Sequence, residues 1–274
     1  MMIENLAKNL VELKKNFVES YHGNSQVQEV IPNLKSESFP VEQSHLELLH
    51  QFAKKNPIYY NSFEETFDNV LCTVYEGDFN RYWLNSIQHG SSNAPFSPTW
   101  IFSAYLSVLS AKNLGFEEVI DIGSGDGRIA FCAKILDFES YSIEIDDSLV
   151  DLQKLLTTTL NFHPNCSDAL VFDYAALNLN NPIFFIGGLA QMGGSQLASG
   201  VIDKINCISL KNSGWVFAGT YSQKYQPDPK NYAGWGTLLE QNNMTPIQTI
   251  VLPTAWTFNE KEDTPYVFAE MTSE

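Results

Sequence analysis

The chain contains the segment Val119-Ile120-Asp121-Ile122-Gly123-Ser124-Gly125-Asp126-Gly127, an apolar run that passes into three alternating glycines. An apolar run of this length predicts a buried strand, and the glycines allow the backbone to turn tightly with no Cβ between it and a ligand. The apolar residues that follow have helical spacing, so a helix is predicted to point its N-terminal amides at the turn. We therefore expect a ligand site at the carboxyl end of this strand.

Strands and helices alternate on both sides of this segment. A helix is predicted at 99–113, and strands are predicted at Glu118–Ile122, Tyr141–Ile145, just before Asp168, Ile183–Ile186, Trp215–Gly219, Thr249–Leu252 and Tyr266–Met271. Alternating β and α elements indicate a parallel sheet with helices on both faces. The connection between the last two strands is too short for a helical crossover, so they should form an antiparallel hairpin. The predicted fold class is α/β, a Rossmann-like, doubly wound, seven-stranded sheet with a terminal antiparallel hairpin.

The glycine spacing distinguishes two classes of cofactor. A dinucleotide fingerprint has the pattern GxGxxG, and its third glycine would fall on Arg128. Here the pattern is GxGxG, with Asp121 before it and Asp126 inside it. Carboxylates disfavour a pyrophosphate but favour a sulfonium and an α-ammonium group. The pattern therefore predicts S-adenosylmethionine rather than NAD, although the turn taken alone is also compatible with a purely structural strand–helix connection.

Further acidic residues follow the next two predicted strands. Glu144 closes the second strand, where a carboxylate can accept hydrogen bonds from both ribose hydroxyls. Asp168 lies at the end of the third, where it can accept one from the adenine amino group. Ile145 and Ala169, which follow these acids, and Gly187, after the fourth strand, are assigned to the same pocket. A single acid at a strand end is commonly a turn or cap residue, but three in register with the sheet order favour a cofactor site.

The segment Asp121–Ile129, together with Ile143–Asp146, resembles the class I S-adenosylmethionine-dependent methyltransferases, from about Pro98 to the C-terminus. Within that family it is most similar to the seven-strand protein-lysine methyltransferases, which include archaeal broad-specificity enzymes, small mitochondrial-type enzymes and the Dot1-like enzymes. The resemblance implies N-methylation of a protein lysine. The Dot1-like enzymes carry paired asparagines where this chain has Gly187-Gly188.

The same resemblance assigns a cofactor role to Thr99. Ser97-Pro98-Thr99 occupies the place of a Pro/Thr loop that helps to enclose the cofactor in those enzymes; an ordinary helix start with proline at its first position is the alternative. No catalytic base and no metal ligand is assigned. The complete predicted cofactor set is Thr99, Asp121, Gly123, Ser124, Gly125, Asp126, Gly127, Glu144, Ile145, Asp168, Ala169 and Gly187.

Composition restricts the partners and the compartment. The net charge is −16, and the sequence has no run of Lys and Arg that could form a basic surface patch, so a nucleic acid acceptor is not expected. A cationic partner such as a lysine-bearing protein would be attracted. No apolar run approaches the ~18–20 residues needed to span a bilayer, and the N-terminus lacks the apolar core of a signal peptide, so the chain is predicted to be cytoplasmic and not membrane-bound. The four cysteines form no CxxC pair, which argues against a zinc site.

Residues 1–93 are predicted to be a helical N-terminal extension and 94–274 the methyltransferase domain, with the boundary at the turn-rich segment His89–Pro95. The predicted helices are one with Leu6, Leu10, Leu13 and Phe17 on one face, one at Val41–Lys55 and one at Phe63–Tyr75. Because their apolar faces must be buried, we expect a cap over the acceptor site; packing on the far side of the sheet or in a dimer interface is the alternative.

Three functions remain open at the level of sequence. The first is N-methylation of a protein lysine. The second is methylation of a small molecule, with the N-terminal helices as a lid over the acceptor. The third is a cofactor-binding interaction module that has lost catalysis. The presence of Asp121, Glu144 and Asp168 together argues against the third.

Overall fold

The computed structural model describes residues 2–78, 96, 98–157, 162, 164–187, 194–208, 210, 212–218, 235–253 and 264–271. Within these segments no helix is both long enough and apolar enough to cross a membrane. The predicted domain boundary at His89–Pro95 lies outside the described residues, so the division into 1–93 and 94–274 stays a prediction.

In the described residues, seven strands form one large mixed sheet in the order β6-β5-β4-β7-β8-β10-β9. The strands are β4 Glu118–Ile122, β5 Glu139–Glu144, β6 Pro164–Cys166, β7 Pro182–Ile186, β8 Gly214–Phe217, β9 Met244–Leu252 and β10 Thr264–Met271. β4 pairs in parallel with β5 and β7, and the parallel pairing extends to β6 and β8. β10 is antiparallel to both β8 and β9. The predicted fold class, with its terminal antiparallel hairpin, is confirmed.

Helices cover both faces of this sheet. They are α3 Ile101–Asn113, α4 Arg128–Ile135, α5 Asp147–Leu156, α6 Gly194–Asn206 and α7 Gly236–Gln241, with a 3-10 turn at Tyr174–Leu177. Alternate residues of β7 pack into the hydrophobic cores on the two faces of the sheet. Ile183 and Phe185 belong to the core with α3 and α4, whereas Phe184 and Ile186 belong to the core with α6 and α7. This period of two is the pleat of a sheet that is buried on both faces.

The N-terminal extension is a mixed α/β unit rather than a set of helices. It consists of α1 Met2–Ser20, β1 Val27–Pro32, α2 Gln43–Lys55, β2 Tyr59–Phe67 and β3 Val70–Gly77. α1 and α2 confirm the first two predicted helices, and the four predicted core residues of α1 are buried. The three strands form an antiparallel sheet in the order β1-β3-β2.

The prediction of a third helix at Phe63–Tyr75 is therefore wrong. Asp68 and Asn69 have φ values of 46° and 66°, and Phe67 pairs with Val70 across them, so these two residues form a tight hairpin turn. A two-residue turn with both residues at positive φ is the connection that suits the twist of paired strands. The spacing of Phe63, Phe67, Val70 and Leu71 matched a helical face by coincidence.

The extension packs on the α3/α4 face of the large sheet. The Phe52 ring of α2 lies 4.7 Å from the Phe131 ring of α4, and the Phe39 and Phe102 rings are 5.5 Å apart. α1 packs against β9 and α3. The last residues of α2 thereby come next to the segment that joins β4 to α4.

Candidate functional site

The turn between β4 and α4 depends on glycine at three positions. Gly123, Gly125 and Gly127 have φ values of 65°, 57° and 76°, a region that side chains rarely adopt. A Cβ on Gly125 would also lie 2.7 Å from the Phe96 ring, and one on Gly127 would lie 2.9 Å from Gln153. The GxGxG spacing is therefore a requirement of the backbone and of close packing at these sites.

Two glycines leave open space at the carboxyl edge of the sheet. Ile122 of β4 pairs with Ile186 of β7, so Gly123 and Gly187 follow side by side at the ends of neighbouring parallel strands. Both are exposed, and a Cβ built on either meets nothing within 4 Å. A ligand can therefore approach the backbone closely at this edge.

Asp121 lies on β4 just before the turn and is 5% exposed. Burial raises the pKa of its carboxyl to about 8, an effect that the nearby Glu144 and Asp126 carboxylates increase and a hydrogen bond with the Ala130 backbone opposes. Among the described residues its Oδ2 atom has no hydrogen-bond partner. A buried carboxylate oxygen without a partner is costly in a protein interior. It fits a cationic or hydrogen-donating ligand.

Glu144 ends β5 and holds the turn together. Its Oε2 accepts a hydrogen bond from Gly125 N at 2.7 Å, and its Oε1 accepts from Ile145 N at 2.9 Å and Asp146 N at 3.0 Å. Burial raises the pKa of Glu144, whereas these three amide donors lower it. Glu144 thus joins the ends of β4 and β5, and its substitution would loosen the turn besides removing the predicted ribose contact.

Asp168 follows β6 after one residue and is partly exposed. Its Oδ1 accepts a hydrogen bond from Leu170 N at 2.8 Å, which orders the local turn. The neighbouring Ala169 is buried, and its carbonyl accepts from the Tyr174 hydroxyl at 3.0 Å. Asp168 and Ala169 thus follow β6 at the same edge as Glu144 and Ile145, in the order β6, β5, β4 that the sequence predicted.

Asp126, inside the glycine turn, has partners within the chain. Its carboxylate accepts hydrogen bonds from Arg128 Nε at 2.9 Å and from Asn56 Nδ2 of the extension at 3.0 Å, and it is only 1% exposed. Arg128 also forms an ion pair with Glu29 of β1. Burial alone would lower the pKa of Arg128, but Asp126, Tyr59 and Glu29 outweigh it and raise that pKa. The charge of Asp126 is therefore paired with that of Arg128, which gives Asp126 a structural role, and its expected contact with the cofactor stays a prediction.

Thr99 also has partners within the chain. Its hydroxyl bonds with that of Tyr266 on β10 and, at 3.5 Å, with the Pro253 carbonyl, and its own carbonyl accepts from Arg128. The expectation that Thr99 contacts the cofactor stays a prediction. Phe96, three residues earlier, covers Gly125, so this segment does lie against the glycine turn.

Gln153, which supports the turn, is absent from the predicted set of site residues. Gln153 of α5 donates from Nε2 to Ser124 Oγ at 2.8 Å and to the Gly125 carbonyl at 2.7 Å, while its Oε1 accepts from Ser142 Oγ at 2.6 Å. A signal was available, because Gln153 is one helical turn after Leu149 on the apolar face of α5. An uncharged polar residue in such a position indicates a buried hydrogen-bond site.

A separate polar groove lies within the N-terminal extension. Its volume is about 340 Å³, and it is lined by Asn33, Gln43, Glu47, His50, Gln51, Lys54, Glu64 and Thr73. None of these residues belongs to the carboxyl edge of the large sheet, so the groove is distinct from the glycine-turn site. Across the described part of the chain, no cluster of His, Cys, Asp and Glu could hold a metal ion.

Comparisons with known proteins do not assign the chain to a family. No family model and no curated protein matches it. Among solved structures it is similar to a magnesium protoporphyrin IX methyltransferase from Synechocystis with bound S-adenosylmethionine, at 13% identity and a TM-score of 0.45 over 63% of this chain and 78% of that one. It is also similar to the PH0226 protein from Pyrococcus horikoshii, at 10% identity and a TM-score of 0.47 over 71% and 98% of the two chains.

A third similar structure is TrmN from Thermus thermophilus, at 12% identity and a TM-score of 0.44 over 77% of this chain and 59% of that one. Identities and TM-scores at this level carry no argument about activity. The strand order and pairing of the large sheet establish the fold.

Proposed function

We propose that the chain is an S-adenosylmethionine-dependent methyltransferase whose cofactor binds at the carboxyl edge of β4, β5 and β6. The observation that carries the proposal is the buried Oδ2 of Asp121, which has no hydrogen-bond partner in the described part of the chain. It lies beside a glycine turn that leaves the edge open at Gly123 and Gly187. A cationic amino-acid group can compensate that carboxylate, whereas a pyrophosphate would add like charge.

The described residues fit such a cofactor along the sheet edge. Asp121 would hold the α-ammonium end, Glu144 the ribose hydroxyls and Asp168 the adenine amino group. Glu144 lies between the other two because β5 lies between β4 and β6. Bound in this way, the cofactor would supply an electrophilic methyl group on its sulfonium. Because such a displacement depends largely on positioning, the rigid glycine turn would be the chain's main contribution on the cofactor side.

A protein lysine is the acceptor that we propose. The net charge of −16 attracts cationic protein segments and repels phosphate backbones. The resemblance of Asp121–Ile129 and Ile143–Asp146 to the protein-lysine methyltransferases supports the same choice. A small-molecule acceptor is the second candidate, favoured by the close packing of the extension beside the glycine turn.

The acceptor can be tested with S-adenosylmethionine that carries a labelled methyl group. The chain would be incubated with cell lysate, and the lysate would then be separated into protein and small-molecule fractions. We expect the label in the protein fraction, and we expect it to disappear when the lysate proteins are first acetylated on lysine. The matched control is Asp121→Asn, which removes the carboxylate charge that we expect to bind the cofactor and keeps the size of the side chain.

Each outcome of this experiment has a separate meaning. Label confined to small molecules would overturn the lysine acceptor and support the second candidate. Label in protein that survives acetylation would show a different acceptor atom. Binding of S-adenosylmethionine with no label in either fraction would favour the cofactor-binding interaction module. Failure of the chain to bind S-adenosylmethionine at all would overturn the methyltransferase proposal.

A further inference from the structure

A hydrogen bond joins the N-terminal extension to the glycine turn. Asn56 Nδ2, at the end of α2, donates to Asp126 Oδ2 at 3.0 Å across 70 residues of sequence. Both residues are 1% exposed. We propose that Asn56 is a positioning residue for the cofactor turn, so that the extension controls cofactor affinity as well as covering the sheet. This inference rests on the proposed function, since it concerns the same cofactor.

Asn56 is held in place independently of Asp126. It is the C-cap of α2, and its backbone N–H bonds back to the carbonyls of Phe52 and Ala53. Its side-chain Oδ1 accepts from Ile58 N at 3.2 Å, which leaves Nδ2 as the donor for Asp126. A donor fixed on both sides loses little rotamer freedom when it binds, so its hydrogen bond constrains the turn effectively.

Asp126 is the point at which such a constraint can act. It lies between Gly125 and Gly127, which have the left-handed backbone and no side chains of their own. Other supports of the turn are Glu144 at the end of β5 and Gln153 of α5, which bond with the backbone of Gly125. Asn56 and Arg128 hold the turn at a different point, through the Asp126 carboxylate. Without Asn56 the turn would keep the bonds from Glu144 and Gln153 but lose one of the three side-chain hydrogen bonds that the described residues donate to the Asp126 carboxylate.

A merely structural role for Asn56 predicts a different result from a positioning role. The chain offers a matched control in the hydrogen bond between His45 Nδ1 of α2 and the Tyr105 hydroxyl of α3, at 2.8 Å. This bond also joins the extension to the large domain, but it does not touch the glycine turn. Tyr105→Phe removes it with little change of shape.

The experiment measures binding of S-adenosylmethionine by calorimetry to the full-length chain and its variants. Asn56→Asp has the same size but replaces the donor with a second carboxylate facing Asp126. We expect it to weaken binding about tenfold, the loss that corresponds to one charged hydrogen bond. We expect Tyr105→Phe to bind within about twofold of the natural chain. If Asn56→Asp does not fold, Asn56→Ala deletes the donor without adding a charge and takes its place.

A rescue variant tests the mechanism directly. Combining Asn56→Asp with Asp126→Asn reverses the direction of the hydrogen bond and keeps the total charge of the cluster, while Glu29 still pairs with Arg128. We expect this double variant to recover only part of the lost affinity, because Asp126 Oδ2 also accepts a hydrogen bond from Arg128 Nη2 that the amide nitrogen of Asp126→Asn could not accept. Hydrogen exchange of the turn amides, without cofactor, should accelerate in Asn56→Asp and partly return in the double variant.

Equal affinity in Asn56→Asp and the natural chain would overturn the positioning role. Equal losses in Asn56→Asp and Tyr105→Phe would also overturn it, because they would show a general loosening of the extension. If the natural chain itself binds no S-adenosylmethionine, the proposed function fails. Hydrogen exchange then tests Asn56 separately: if the turn amides exchange equally fast in the natural chain and in Asn56→Asp, Asn56 does not hold the turn in place.

Discussion

Two clusters of buried charge lie beside the same glycine turn, and they differ in how their charges are compensated. In the first, which we call the rear cluster, Arg128 is paired with both Glu29 and Asp126. In the second, the front cluster, Asp121 and Glu144 are buried with hydrogen bonds from backbone amides, and neither forms an ion pair with a basic side chain of the described residues. The rear cluster is compensated within the chain, whereas Asp121 Oδ2 in the front cluster has no hydrogen-bond partner among the described residues.

This difference separates a structural from a functional use of buried carboxylates. A buried ion pair with complete hydrogen bonds links two parts of a fold and specifies how they meet. A buried carboxylate without a counter-ion costs stability and persists where a ligand supplies the missing charge. The sequence pattern assigns Asp121 and Asp126 alike to the cofactor, and only their neighbours in space distinguish the two carboxylates.

The largest effect is expected from removing the extension. A chain that begins at Asn93 would expose Trp100, Phe102 and Phe131, which are at most 2% exposed, and would deprive Arg128 of Glu29. We expect such a chain to lose cooperative unfolding, as measured by circular dichroism during thermal denaturation. Cofactor binding by a stably folded truncated chain would show instead that the rear cluster is dispensable.

The next effect concerns the rear cluster itself. Arg128→Met would leave Glu29 and Asp126 buried without their cation, at a cost of about 3–5 kcal/mol in the free energy of unfolding. Urea denaturation measures this loss. Lys154→Met is the control, because its ion pair with Asp151 lies on the surface and its removal should not change stability measurably. A small effect for Arg128→Met would mean that the cluster is not the link between the two parts.

A smaller effect distinguishes the front cluster by its pH dependence. In the folded chain Asp121 keeps its proton up to a pKa of about 8, whereas in the unfolded chain it loses it near pH 4. The folded state therefore binds more protons between these values, and the contribution of Asp121 to stability falls as pH rises from about 4 to about 8.

Comparison with Asp121→Asn isolates this contribution. Between pH 6 and pH 7 the natural chain should lose about 1 kcal/mol of unfolding free energy relative to the variant. Urea denaturation at the two pH values provides the measurement, and groups that titrate alike in both chains cancel in the difference. An equal pH dependence in both chains would show that Asp121 is ionised in the folded state and has found a partner.

The fold was largely accessible from the sequence, because its signals are local. β4 has the predicted bounds Glu118–Ile122, and the terminal hairpin follows from the short connection between β9 and β10. The N-terminal sheet was missed since β2 and β3 are joined by an Asp68-Asn69 turn whose neighbours mimic helical spacing. The strand β1 then has no recognisable partner within its own sequence neighbourhood.

Only part of the candidate site could be predicted from the sequence, because only some of its signals are local. The glycines at positive φ can be recognised by residue type, and Glu144 can be recognised by its position at the end of a predicted strand. The surroundings of Asp126 include Asn56, which bonds with it directly, and Glu29, which pairs with Arg128; they precede Asp126 by 70 and 97 residues. Contacts of that range are set by how the extension packs on α4, which no local pattern encodes.

The most direct test of the front cluster is titration calorimetry of the natural chain and Asp121→Asn with S-adenosylmethionine and with NAD. We predict that S-adenosylmethionine binds the natural chain, that Asp121→Asn weakens this binding at least about tenfold through loss of a charged hydrogen bond, and that NAD binds neither. Binding of NAD without binding of S-adenosylmethionine would contradict the account, because the uncompensated carboxylate would then not be a site for a cationic cofactor.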